Sequence, residues 1–209
     1  MTQLTPTETR ILGCLIEKQA TTPDVYPLTL NALVTACNQK TSRDPVMNLS
    51  PGEVGHTLRD MAERELVRFV PGGRADRWEH RADKALDLTK PQRILIGLLF
   101  LRGPQTSPEL LGRSERMHKF ENPAEVQEEI ERLRGRGYIT QLARHGGQRE
   151  TRYGHLFSGE PNMQPLAPRA VARESEREPV REPLAQQPNL ETRIADLEAR
   201  VAALESKSQ

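Results

Sequence analysis

The sequence is poor in cysteine, in aromatic residues and in long apolar runs, and each scarcity excludes a class of protein. Two cysteines, Cys14 and Cys37, are too few for a disulfide framework and lack the CxxC spacing of a zinc site. The longest apolar run, 94–101, has eight residues, whereas a transmembrane helix needs about 20. No signal-peptide pattern is present. We therefore expect a cytoplasmic protein with buried, reduced thiols and no membrane partner.

Familiar catalytic and cofactor motifs are missing as well. The chain has no P-loop, no GxGxxG, no GxSxG and no HExxH motif. None of its five histidines has another histidine or a cysteine three or four residues away, so none belongs to a helical metal-binding pair. These observations predict a protein that is not an enzyme and that holds no cofactor and no metal ion.

The chain does contain an internal repeat. Three stretches recur in the same order: 50–54 as 122–126, 10–16 as 93–99, and 77–80 as 152–155. The repeating unit is about 80 residues long, which is large enough for a small domain with its own core. His80 and His155 occupy matching places in the two copies, which favours a repeated structural hydrogen bond.

Cap residues and apolar periodicity locate the elements of each copy. The sequences TPTE at 5–8 and SPGE at 50–53 are capping boxes, and NPAE at 122–125 is the same device with asparagine as the cap. Apolar spacing predicts helices over 6–18, 28–37 and 51–65, then over 91–102, 107–113 and 123–135. Alternating residues predict hairpin strands over 66–70 and 77–80, then over 138–143 and 150–156. Three helices followed by a hairpin are typical of a winged-helix domain.

We therefore predict a mainly α-helical protein with small β-hairpins, an α+β fold, in four segments. Residues 1–85 and 86–159 form two tandem winged-helix domains, and the proline-rich stretch 160–189 is a disordered linker. Residues 190–209 form a short coiled-coil helix, which pairs with a second copy or docks on its own domains, or else frays. Its seam positions follow heptad spacing: Leu190, Ile194, Leu197, Val201 and Leu204.

The two copies differ in length and in polarity. The first is longer by about 11 residues, which we assign mostly to 38–48. The helix 94–101 of the second copy is apolar on all sides, so it needs burial all round. We expect it between the two domains or in a dimer interface.

Residues 3–157 resemble the YceH-like family of bacterial proteins, which are described as tandem winged-helix proteins without an established function. The motifs that carry the resemblance are the helix 4–18, TTPD at 21–24, YPLTLNAL at 26–33, ACNQK at 36–40, RDPVMNL at 43–49 and the hairpin residues 149–153. The resemblance implies the architecture and no activity, and it does not extend to the linker or the final helix.

Local charge indicates which surfaces suit nucleic acid. The third helices are acidic, with a net charge of −2 over 51–66 and −1 over 123–136, which disfavours ordinary major-groove reading. The wings, 68–81 and 144–152, each carry +2, and the loop 38–43 has two cations and no carboxylate. The candidate nucleic-acid contacts are therefore Lys40, Arg43, Arg68, Arg74, Arg77, Arg144, Arg149 and Arg152.

Two functions are compatible with these features. The first is DNA-associated or regulatory nucleic-acid binding through the wings and the 38–43 loop. The alternative is a protein-interaction adaptor, in which the acidic third helices and the apolar helix 94–101 contact a protein partner. Solvated basic hairpins and loops with no ligand have the same composition, so charge alone does not separate these interpretations.

Overall fold

The computed structural model describes residues 3–73, 75–143 and 150–160, which belong to one compact unit. Each half of this unit runs through a helix, a two-residue strand, two more helices and a hairpin. The first half comprises α1 (Pro6–Thr21), β1 (Leu28–Thr29), α2 (Leu30–Cys37), α3 (Pro51–Glu63), β2 (Val67–Val70) and β3 (Arg77–His80). After α4 (Ala82–Ala85), the second comprises α5 (Lys90–Arg102), β4 (Gln105–Thr106), α6 (Ser107–Ser114), α7 (Pro123–Gly135), β5 (Ile139–Gln141) and β6 (Arg152–His155).

Each half contains a small antiparallel sheet of three strands. The strand orders are β1-β3-β2 and β4-β6-β5, so the two sheets have the same topology. The α+β class is thus confirmed. Sequence analysis missed β1 and β4, because each has only two residues and leads directly into a helix. It placed Leu28 and Thr29 in α2, whereas Thr29 caps that helix and accepts a hydrogen bond from Ala32 N.

The helix starts lie where the cap residues predict them. Thr5 Oγ1 accepts a hydrogen bond from Glu8 N, and Glu8 Oε2 accepts one from Thr5 N at 2.7 Å. Ser50 and Glu53 form the same reciprocal pair at the start of α3. Such caps satisfy backbone N–H groups that a helix leaves unpaired. The capping boxes predicted at 5–8 and 50–53 are confirmed. At 122–125 only half of the device forms, because Asn122 caps Glu125 N but the Glu125 carboxylate accepts from Glu121 N.

The two halves join along an antiparallel pair of helices, α1 and α5. Both helices present glycine to the partner: a Cβ on Gly97 would lie 2.8 Å from Ile16 Cγ2, and one on Gly13 would lie 2.9 Å from Leu101 Cγ. From position 13 to position 16 of α1, the partner position on α5 falls from 101 to 97, so the two helices run antiparallel. All of 94–101 is buried. The predicted burial of this helix between the halves is therefore confirmed.

The extra length of the first half lies in two places rather than one. Strands β1 and β4 begin at Leu28 and Gln105, an offset of 77, whereas α1 and α5 match at 83 and α3 and α7 at 72. Six of the extra residues therefore precede β1, in the segment that holds a short 3₁₀ helix (Pro23–Val25). Only five fall between α2 and α3. The assignment of most of them to 38–48 was wrong, because β1 was not recognised as the reference point.

Candidate nucleic-acid interface

Five of the eight candidate cations lie in the described residues: Lys40, Arg43, Arg68, Arg77 and Arg152. The other three, Arg74, Arg144 and Arg149, lie outside them. The predicted linker 160–189, apart from its first residue, and the seam residues Leu190, Ile194, Leu197, Val201 and Leu204 also lie outside the described residues, so self-association through that seam stays a prediction.

The prediction that Arg43 contacts nucleic acid is wrong, because Arg43 is not on the surface. Its side chain is buried, and its guanidinium donates to both carboxylate oxygens of Glu17, at 3.1 and 2.6 Å. It also donates to the carbonyl of Ala36 at 3.0 Å and to Gln39 Oε1 at 2.7 Å. Burial by itself would raise the pKa of Glu17, but the paired guanidinium holds that pKa below its usual value. Arg43 therefore stabilises the loop from inside and cannot contact phosphate.

The loop around Arg43 is hydrogen-bonded to a helix of each half, α1 and α5. Arg10, on the same face of α1 as Glu17, donates to the carbonyls of Cys37 and Pro45. The backbone N–H of Asp44 donates to the carbonyl of Leu101, at the end of α5, at 2.8 Å. Of the two cations predicted in this loop, only Lys40 is exposed.

Arg77 and Arg152 carry out the same structural task in the two halves. Arg77 donates to the carbonyl of Pro27 at 2.7 Å, and Arg152 donates to that of Pro104 at 3.0 Å. The two prolines sit at matching places just before β1 and β4. Arg152 is also paired with Glu109 at 3.0 Å. Both arginines thus tie the hairpin to the loop before the second helix, which leaves little of either for a ligand.

The β2–β3 hairpin exposes one described cation and an aromatic pair. The Arg68 side chain is 60% exposed and contacts Glu79 at 2.8 Å. Phe69 is 43% exposed and meets Trp78 edge to face, with ring centroids 5.2 Å apart. A surface ion pair such as Arg68–Glu79 is weak in water, so Arg68 is available to phosphate.

The third helices differ in how their arginines are used. On α7, Arg132 pairs with Glu129 and Glu128, and Arg134 pairs with Glu131. The α7 cations are therefore neutralised at short range, while further carboxylates stay exposed. On α3, by contrast, Arg59 is exposed, and none of its neighbours among the described residues pairs with it.

Sequence analysis missed Arg59 as a candidate, because the net charge of its helix is negative. Of the carboxylates nearby on α3, Asp60 contacts His56 at 3.5 Å and Glu53 serves the cap. Glu63, one helical turn after Arg59, is exposed and forms no ion pair with it. Arg116 and Lys119, between α6 and α7, are exposed cations of the same kind. A linear charge sum cannot separate paired from unpaired cations, and no other sequence signal marks these three.

The two repeated histidines are structural, but they are not equivalent. His80 Nε2 lies 2.8 Å from Gln19 Oε1, and its Nδ1 accepts from Ala82 N. His155 packs edge-on against Phe100, and its Nδ1 has no hydrogen-bond partner. The expected repeated hydrogen bond thus fails at that atom. Burial lowers the pKa of each histidine to about 4, so neither offers a positive charge to phosphate near neutral pH.

The predicted burial of the two cysteines is confirmed. Cys14 and Cys37 are free and buried. A hydrogen bond with Cys14, together with burial, raises the pKa of Cys37, so that thiol stays protonated. In the described part of the chain, no three His, Cys, Asp or Glu side chains are grouped as metal ligands. Within the same residues, every helix is too short or too polar to span a bilayer.

Comparison with known proteins identifies a family. A family model described as "Protein of unknown function, DUF480" matches residues 4–148. The chain belongs to this family. It is 58% identical over 205 residues to a UPF0502 protein of Pseudomonas syringae pv. tomato, covering 98% of this chain and 90% of the relative. It is 62% identical over 164 residues to one from P. syringae pv. syringae, covering 78% and 73%.

A third relative has a similar identity and coverage. A UPF0502 protein of P. aeruginosa is 55% identical over 192 residues, which cover 92% of this chain and 85% of that protein. These matches are compatible with the resemblance to the YceH-like family drawn from the motifs. The family description assigns no activity, so the function rests on the geometry of the surface.

Proposed function

We propose that both halves are winged-helix domains and that the protein binds nucleic acid mainly through the first. The order of helices, the three-stranded sheet and the terminal hairpin in each half support the winged-helix assignment. In such domains the third helix and the wing form one face that meets nucleic acid. The proposal concerns binding and assigns no catalytic step.

The observation that carries the proposal is a difference in how the cations of the third helix and the hairpin are paired, although the second half also exposes Arg116 and Lys119 between α6 and α7. The first half exposes Arg59 on α3, Lys40 after α2 and Arg68 on the wing. Only Arg68 has a described ionic partner among these three. In the second half, the arginines of α7 and Arg152 are all paired with carboxylates. Phosphate contacts need cations that carboxylates do not already neutralise, since the released counterions drive binding.

The test is salt-dependent binding of a labelled duplex, followed by fluorescence anisotropy. Replacing Lys40, Arg59 and Arg68 together by Gln should weaken binding and reduce the slope of log K against log salt by about one per lost phosphate contact. The matched control replaces Arg132 and Arg134 by Gln on α7, which should change the slope less. Equal losses in the two variants would contradict a first-half surface, and absence of salt-dependent binding by the parent would contradict the proposal.

An adaptor function is the second candidate, and one observation favours it. On α7, the exposed side chains of Glu128 and Glu131 present an acidic face, at 66% and 50% exposure. The apolar α5 is buried between the halves, so it does not offer the partner surface that the alternative first required. A protein that co-purifies after nuclease treatment with the parent, but not with Glu128→Lys and Glu131→Lys together, would support the adaptor function.

A further inference from the structure

We propose that the first half holds a site for one unpaired nucleotide of a single nucleic-acid strand, on the surface where α3 lies beside the β2–β3 hairpin. The base would stack on the Phe69–Trp78 pair, and its phosphate would meet Arg59. This inference rests on the proposed nucleic-acid binding and names the form of nucleic acid that the first half takes.

The aromatic pair extends the core face of the sheet beyond the core. Phe69 and Trp78 are register partners, two residues along from the register pair Val67 and His80. Because side chains alternate along a strand, the two pairs share one face. Val67 and His80 are buried, whereas Phe69 is 43% exposed and Trp78 is only half-buried. Exposed aromatic rings of this kind are the surfaces on which unpaired bases stack.

The matching place in the second half is closed. There the register partners are Gln141 and Tyr153, and Tyr153 is only 6% exposed. Its hydroxyl accepts a hydrogen bond from Gln127 Nε2 on α7 at 3.2 Å. Gln127 also donates to Glu131 Oε1 at 3.1 Å. Gln127 therefore occupies the hydroxyl end of the buried Tyr153 ring, and the Glu131 carboxylate beside Gln127 would repel phosphate.

The first half replaces both of these residues. At the offset of 72, Gly55 stands where Gln127 stands, and Arg59 stands where Glu131 stands. A Cβ on Gly55 would make an ordinary contact with Leu30 at 3.7 Å, so a larger residue would fit there, but glycine has no side chain that could reach the ring. Arg59 follows Gly55 by one helical turn and lies on the same face. One half thus has a buried ring beside an acid, and the other has a partly exposed ring beside a base.

An aromatic surface next to one free guanidinium matches the two parts of a nucleotide, the base and the phosphate. A duplex fits less well, because its bases stack on one another and do not present a free face. The exposed carboxylates Asp60 and Glu63 would also repel the two phosphate rows of a groove. Shape therefore favours an unpaired strand, which also brings fewer phosphates near these carboxylates than a duplex does.

Trp78 is the single tryptophan of the chain, so tryptophan fluorescence reports directly on binding at the proposed site. The full chain is titrated with a short oligothymidine strand, a hairpin duplex and thymidine monophosphate, with tryptophan fluorescence and anisotropy as readouts. We expect the strand to quench Trp78 and to bind more tightly than the other two probes. Phe69→Gln, and Gly55→Gln with Arg59→Glu, copy the second half and should each raise the Kd for the strand about tenfold or more.

Lys90→Glu, an exposed charge reversal in the first turn of α5, is the control and should leave the Kd for the strand within about twofold. Gly55→Gln has room and improves helix propensity, so its thermal transition should not fall. Unchanged Kd in the Phe69→Gln variant, or equal quenching by the monophosphate and the strand, would overturn the inference. Salt-dependent duplex binding without quenching by the strand would also overturn it while leaving the proposed function intact. Failure of all probes to bind would contradict both.

Discussion

The two halves share one topology but use their polar residues in opposite ways. The first half buries an arginine–carboxylate pair under its 38–49 loop and leaves cations such as Arg59 free on the surface. The second half has no counterpart of that pair at these positions, and it pairs the arginines of α7 with neighbouring carboxylates. Duplication of a fold therefore did not duplicate a surface. One copy has the buried Arg43–Glu17 pair and a partly exposed aromatic pair, and the other has a buried Tyr153 beside an acidic helix.

The largest loss of stability that we expect follows from replacing Arg43, whose buried ion pair with Glu17 lies in the first half. Arg43→Met leaves the largely buried Glu17 carboxylate without its partner, and removing one member of a buried ion pair costs about 3–5 kcal/mol. Urea unfolding of the parent and the variant measures this difference. Arg43→Met combined with Glu17→Met should recover most of the loss, because no unpaired charge is then buried. If the single variant were as stable as the parent, the Arg43–Glu17 pair would not be a stabilising element.

The next largest effect is the pH dependence of stability that comes from one largely buried histidine in each half, His80 and His155. Each has a pKa of about 4 in the folded protein, against about 6.5 when unfolded. Between these values the unfolded chain binds protons that the folded chain does not. Stability therefore falls as the pH drops from about 6.5 towards 4, by up to about 3 kcal/mol for each histidine.

Variants at the two histidine positions sharpen this comparison. His155→Leu removes the Nδ1 atom that has no partner, so it should halve the pH dependence without loss of stability at neutral pH. His80→Leu should also halve it but lower neutral stability, since Gln19 Oε1 loses its partner. Chemical unfolding at a series of pH values between 4 and 7 tests both. If the stability of His155→Leu depended on pH just as that of the parent does, His155 would not have a lowered pKa in the folded protein.

The smallest effect concerns the helix pair that joins the halves. Gly97→Ala adds a methyl group 2.8 Å from Ile16 Cγ2, and overpacking of this kind costs about 1–3 kcal/mol. Gly112→Ala in α6 is the matched control, because a Cβ there has no neighbour within 4 Å. That change should stabilise the protein by up to about 1 kcal/mol through helix propensity. The thermal unfolding temperature should therefore fall for Gly97→Ala and rise for Gly112→Ala. A rise for Gly97→Ala would show that α1 and α5 tolerate a wider separation.

Much of the fold could be predicted because its signals are local. Caps such as Ser50 with Glu53 lie three residues apart, and the apolar stripes of α1, α3 and α7 recur every three or four residues. The candidate site was less predictable. Arg43 and Arg68 look alike in the sequence, yet one is buried and the other is 60% exposed. Nothing within a few residues of either one separates them.

The sequence by itself determined the repeat, the helix starts, the hairpins and the burial of 94–101, because helix and strand periods and capping motifs act over a few residues. Only the tertiary structure decided which charges are free. Arg43 meets Glu17 across 26 positions of the chain, and the ring of Tyr153 meets Gln127 across the same separation. Such partners are chosen by the packing of helices and sheets, and their pairing decides whether a side chain serves the core or faces a ligand.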